Sequence, residues 1–251
     1  VQGSKGVAAE INEVSTRPGS KSKVQLPDGS VVWLNADSKL TYTKDFGKTM
    51  REVTLTGEAF FDVTKNEEKP FVIHTSSINI KVLGTAFNVK AYPEDKQTET
   101  SLIHGSIEVT IKNRPNDKIF LSPNEKLVVE NNRMAGNSDG KERSSKKIIE
   151  SNNNIIPSVI VPKLAINKLK YSPVDSTIAE TQWINNRLVF RDESFDDLAV
   201  RMERWYDVVI EIKSPALLEA RLNGIFQSET ILQALEALKI SVPFHYEQTG
   251  N

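Results

Sequence analysis

Residues 23–34 read Lys-Val-Gln-Leu-Pro-Asp-Gly-Ser-Val-Val-Trp-Leu. Val24 and Leu26 alternate with polar neighbours. Pro27-Asp28-Gly29-Ser30 then reads as a turn: Pro presets φ, Asp can bond its own backbone, and Gly takes positive φ without steric cost. Val31 to Leu34 restarts a β-rich run. The stretch predicts a β-hairpin, and similar units follow it as far as about Glu130.

Working outward, Val53 to Val63 reads as a strand pair, with Gly57 suited to a bulge or bend. Pro70 to His74 is a strand entered through an edge Pro, and Ile78 to Val89 is a strand pattern interrupted by Gly84. Thr100 to Ile111, Ile119 to Leu121 and Leu127 to Val129 continue the series. No helical period appears between residues 24 and 130, so 23–130 is expected to be an all-β domain of many short strands. The polar stretch 1–22 is expected to be a partly disordered N-terminal segment, with Arg17-Pro18-Gly19 as a turn. Residues 131–154 are rich in Asn, Ser, Lys and Gly, and 155–170 is broken by Pro157 and Pro162. The whole of 131–182 is therefore read as a linker and extended connection.

From Trp183 the period changes. Arg187 to Arg191 is strand-like, and Ser194 with Asp197 three residues on is a capping-box variant. Phe195, Leu198, Ala199 and Met202 then fall on one helical face. Val208 to Ile212 reads as a strand, and Ala216 to Phe226 leads into another. Thr230 with Gln233 caps a second helix with an expected buried stripe of Ile231, Leu232, Leu235 and Leu238. Phe244 to Glu247 reads as the last strand. Residues 183–251 are thus expected to form a small α+β domain in β-α-β-β-α-β order.

The composition excludes several classes of function. The chain has 251 residues, enough to bury a real core, and its formal net charge of −1 gives no basis for binding nucleic acid. It has no Cys, which removes disulfides, thiolate chemistry and Cys-based metal sites. No window approaches the ~20 apolar residues of a membrane span. Val1-Gln2-Gly3-Ser4 reads as an internal cut of a longer protein, with any membrane anchor outside it.

Leu26 to Ser38, Val53 to Val63, Pro70-Phe71 and Val82 to Val89, in that order, resemble the FecR family of bacterial transmembrane regulators, usually called anti-sigma factors. Trp183 to Phe190, Leu198 to Tyr206 and Asn223 to Phe226 resemble the C-terminal domain that follows FecR in Bacteroidetes versions. Its element order is similar to the STN domain of secretins and TonB-dependent receptors. The resemblance implies a periplasmic region whose partner is the signalling domain of a TonB-dependent outer-membrane receptor. It also implies a preceding cytoplasmic domain that holds an extracytoplasmic-function sigma factor, and one membrane helix, neither within these residues. Asn186 and Asn124 stand where the family usually has Gly, and Asn tolerates the left-handed conformation those turns need.

No residue is expected to be catalytic, to hold a metal or to bind a cofactor, and the partner-binding residues are left unassigned. His74, His104 and His245 are the only histidines and lie too far apart in sequence for ligand spacing. Glu58 and Asp62 share a strand face and would be the carboxylate pair of a carbohydrate-binding or glycan-hydrolysing β-domain, the alternative reading. Gly84-Thr85 lacks the context of a phosphate loop. Lys141 to Lys147 is a short charge run with a solvated role. Trp33, Trp183 and Trp205 sit in apolar patterns and are expected in the core. Arg204-Trp205-Tyr206, at a helix end, is the one stretch suited to a partner-facing aromatic.

Overall fold

The computed structural model describes residues 10–131, 163–169, 171 and 177–249. Residues 1–9, the charge run 141–147 and the 132–162 part of the expected linker lie outside them. The opening strands are β1 (Ile11–Ser15), β2 (Ser22–Gln25), β3 (Val31–Leu34), β4 (Lys39–Thr43) and β5 (Arg51–Asp62). Then come β6 (Phe71–His74), β7 (Ile78–Val82), β8 (Ala86–Ala91), β9 (Gln97–His104) and β10 (Ile107–Ile111). β11 (Arg114–Leu121), β12 (Glu125–Glu130) and β13 (Leu164–Lys168) complete the β-domain.

The hairpin of 23–34 forms as read. Val24 pairs with Val32 and Lys23 with Trp33. Gly29 has φ 85°, and both carboxylate oxygens of Asp28 accept from Ser30. The second oxygen also accepts from Nη1 of Arg51 at 2.9 Å, so the turn is tied to a guanidinium only 2% exposed.

Residues 53–63 are a correction. All but Val63 belong to the single twelve-residue strand β5, not a strand pair. Its first half pairs with β4 and β6, and its second half with β3 and β8. Gly57 sits at the crossing with φ 100°, and a Cβ there would lie 2.7 Å from the Ser38 backbone. β5 thus turns the corner between two sheets, as strands of packed sheets do at bends. One sheet runs β1-β4-β5-β6-β7-β10-β11 and the other β2-β3-β5-β8-β9-β12-β13. One core draws on both, with Phe61, Phe71 and Phe87 fully buried. Burying a side chain of that size contributes about 1.5–3 kcal/mol.

Two expected boundaries shift. Residues 11–15 are not loose, because β1 pairs with β4. Residues 164–168 extend the second sheet against β12, so the expected connection is sheet there.

The C-terminal module follows a 3-10 turn at Ala179–Asn185 and contains β14 (Leu188–Ser194), α1 (Phe195–Tyr206), α2 (Pro215–Leu218), β15 (Arg221–Phe226) and α3 (Ile231–Ser241). It is α+β, but among the described residues its sheet has two strands, not four. The segments 208–212 and 244–247 carry no ladder bonds. They still alternate in burial, with Ile210, Ile212 and Phe244 against the core and Val209 92% exposed. Period-two patterning reports which side chains turn inward; it does not supply a neighbouring strand. Both helix caps form as read. Ser194 accepts from the Asp197 N–H, and Thr230 and Gln233 close a full capping box. The stripe of α3 forms with Ile231, Leu235 and Leu238 against the core, joined by Ala234, and only Leu232 departs from it, 43% exposed.

Candidate functional site

The two cores share no residue: one draws only on 24–129, the other only on 188–244. Polar chemistry joins them along α1. The face of α1 that bears Phe195, Leu198, Ala199 and Met202 packs into its own core. Asp196, Asp197, Arg201 and Arg204, together with Trp205, line a cleft of about 1000 Å³ shared with the β-domain.

The β8–β9 loop, Tyr92 to Lys96, supplies most of the grip. Lys96 Nζ lies 2.8 Å from both Asp196 and Asp197 in the first turn of α1. Arg204 Nη2 donates to Asp95 at 2.6 Å and to Glu94 at 3.0 Å, and its guanidinium lies 3.8 Å from the Tyr92 ring centroid. The β1–β2 turn holds the other end of the helix. The Gly19 N–H donates to the Arg204 carbonyl at 2.7 Å, satisfying one acceptor that a helix C-terminus leaves open. Lys21 Nζ sits 3.5 Å from the Trp205 ring centroid and donates to Asn186 Oδ1 at 3.0 Å. Asn186 is left-handed, with φ 57°, as its place in a usual Gly position requires, and its side chain adds this acceptor.

Deeper in the cleft, Asn35 and Asn88 each donate to Glu58 at 2.8 Å, and Asn88 accepts from Trp183 Nε1 at 3.1 Å. Lys126 bridges Glu99 at 3.0 Å and Glu180 at 3.1 Å. Burial raises the Glu58 carboxyl above the usual range, against the opposing pull of Lys90 and the two amide donors. Burial also opposes charge on Lys126, yet Glu99 and Glu180 outweigh it and hold the ammonium above its ordinary value. Glu99 is lowered in turn, its burial offset by Lys126 and Lys90. Lys21 is lowered to about 8 by burial, with Glu58 pulling the other way. Burial raises the Tyr206 phenol to about 12.

The structure separates most of the side chains singled out from sequence. His74 bonds Asn79 at 2.9 Å, while His104 and His245 are exposed elsewhere. Among the described residues no group of His, Asp and Glu is arranged to hold a metal. Glu58 and Asp62 do share a face of β5, but Asp62 is exposed. Four residues of strand set them about 13 Å apart, beyond the ~5–9.5 Å of a glycosidase pair. Gly84 is required by close packing: a Cβ would lie 2.6 Å from Lys65 Cα. The expectation of core tryptophans holds for Trp205, which packs against the module's core, and is corrected in part for the other two. Trp33 lies on an outer sheet face against Phe60, with Lys23 over it. Trp183 is buried in the cleft and belongs to neither core. Arg204 and Trp205 face this chain's own β-domain. Lys21, Lys96, Asp95 and Lys126 carried no sequence signal, because single charges in strand ends and loops show no period.

The model described as "FecR protein" matches residues 12–108, and that described as "FecR, C-terminal" matches residues 187–251. No curated protein matches the chain. Two crystal structures from Parabacteroides distasonis ATCC 8503, at 1.65 and 2.50 Å resolution and provisionally designated an anti-sigma factor, are similar along its length. Each is 27% identical with 95% of both chains covered, and the TM-scores are 0.75 and 0.72. With both of the family's domains in order on one chain, the protein belongs to the FecR family of signalling regulators.

Proposed function

We propose that this chain is the periplasmic signal-receiving region of a single-pass inner-membrane anti-sigma factor. It would bind the signalling domain of a TonB-dependent outer-membrane receptor. Its occupancy would reach an extracytoplasmic-function sigma factor through parts of the protein that precede these residues. The observation that carries this reading is the pairing of FecR and FecR C-terminal domains on one chain. The likeness to structures designated as an anti-sigma factor supports it. Recognition is non-covalent and works by shifting a population of states. The two-stranded sheet of β14 and β15 has open edges among the described residues, which suits addition of a partner strand. We place two separately folding units, a β-domain that includes β1 and β13 as well as 23–130, and a module at 183–251.

Calorimetric titration of this chain with the signalling domain of the receptor produced with it tests the reading. Micromolar binding, absent for a signalling domain from an unrelated system, is expected. No heat and no NMR shift at about millimolar concentration, with both proteins folded, would overturn it. No helix among the described residues is long and apolar enough to cross a membrane.

A further inference from the structure

We propose that the α1 seam is a built-in opening joint: the C-terminal module swings off the β-domain as a rigid unit, and the ionic contacts of Lys96 and Arg204 set the balance between closed and open poses. Three observations carry this. First, the two hydrophobic cores are complete without each other, so separating them exposes neither. Second, the contacts that span the seam are directional polar ones: loops 17–21 and 92–96 grip α1 and Asn186, and Asn88 and Lys126 hold Trp183 and Glu180 of the 3-10 turn. Third, the contacts grade from wet to dry. Lys96, Asp196 and Asp197 are each about half exposed, whereas Arg204 and Asp95 are 10% exposed.

Such a seam closes in one register, because the guanidinium must meet Asp95 and the Tyr92 ring together. It opens at modest cost, because water can replace the polar bonds it loses, while Trp183, 5% exposed in the cleft, gives up its cover. A fused apolar interface would behave differently, its opening costing the burial of the whole patch. Domain interfaces of this polar kind move by default. A partner that holds the module in only one pose would shift the balance by its differential affinity. The proposal concerns the chain alone and stands or falls separately from the identity of any receptor.

The chain has no cysteine, so two can be introduced without background. Spin labels at Lys112→Cys and Glu219→Cys, both exposed, report the distance between β-domain and module by electron–electron double resonance. At about 0.1 M salt a single narrow distance is expected. At about 1 M, where the Debye length falls to roughly 3 Å, a second, longer population should appear. Lys96→Ala and Arg204→Ala should each enlarge it at low salt. The swap of Lys96→Asp with Asp196→Lys and Asp197→Lys should restore the closed distance. A longer population in the salt series or in either alanine variant supports the joint. One unchanged narrow distance in the salt series and in Lys96→Ala overturns it. Neither arm touches a core, so the decision does not depend on whether Arg204→Ala folds.

Discussion

Asn88 stands between Glu58 and Trp183, donating to the carboxylate at 2.8 Å and accepting from the indole N–H at 3.1 Å. One carboxamide on β8 therefore satisfies a buried acid of β5 and a buried indole of the 3-10 turn at once. A carboxylate could accept but not donate, and an aliphatic side chain could do neither.

Asn88→Leu should accordingly leave the Trp183 N–H and one oxygen of Glu58 without their partner, the other oxygen keeping Asn35. An unsatisfied buried group costs roughly 1–3 kcal/mol, so the loss should be about 2–5 kcal/mol. Urea unfolding read by tryptophan fluorescence measures it. An unchanged midpoint and emission maximum would mean that Trp183 does not depend on Asn88.

Lys21 yields a pH-dependent outcome. Its folded pKa of about 8 lies below the unfolded value of 10.5. Between those values the unfolded chain binds more protons at this site, so stability rises with pH across pH 8 to 10.5. The contribution is fully present above the unfolded pKa and is lost as pH falls through the folded one. Lys21→Met should remove that slope, and parallel stability profiles for variant and parent from pH 7 to 11 would refute the assignment.

Leu198→Asp and Leu238→Asp each place a charge in the module's core, where both side chains are buried. Each should cost several kcal/mol and melt the module while the β-domain retains its transition, because the cores are separate. Leu232→Asp, six residues earlier on α3 but exposed, should change stability by no more than about 0.5 kcal/mol. Calorimetry with domain-resolved NMR distinguishes the three.

Asp28→Ala should destabilise the β-domain by roughly 3–5 kcal/mol, the usual cost of removing one partner of a buried pair. It leaves the Arg51 guanidinium with backbone acceptors only, at Lys69, Thr64 and Asn66. Asp28→Asn keeps a side-chain acceptor for the Ser30 N–H and should cost less. Chemical denaturation of the two variants side by side checks the order.

The sequence by itself determined what is local. Pro27 to Ser30 specified its turn, Ser194 and Thr230 specified two helix starts, and alternation specified which residues of 53–63 point inward. Asn124 and Asn186 adopt the left-handed backbone that their turns demand. Each of these rests on a residue and its neighbours within four positions, where sterics and hydrogen bonding act without help from the rest of the chain. Which strands adjoin was decided only by the tertiary structure. Val53 to Val63 bears one alternation whether it makes two strands or one, and only packing at Ser38 shows Gly57 to be a corner. The same limit hid the seam. Lys21, Asp95 and Lys96 lie about 100 or more positions from Asn186, Arg204 and Asp196, and a lone surface charge has no period to read. Their roles follow from partners that come within bonding distance only once the two domains meet.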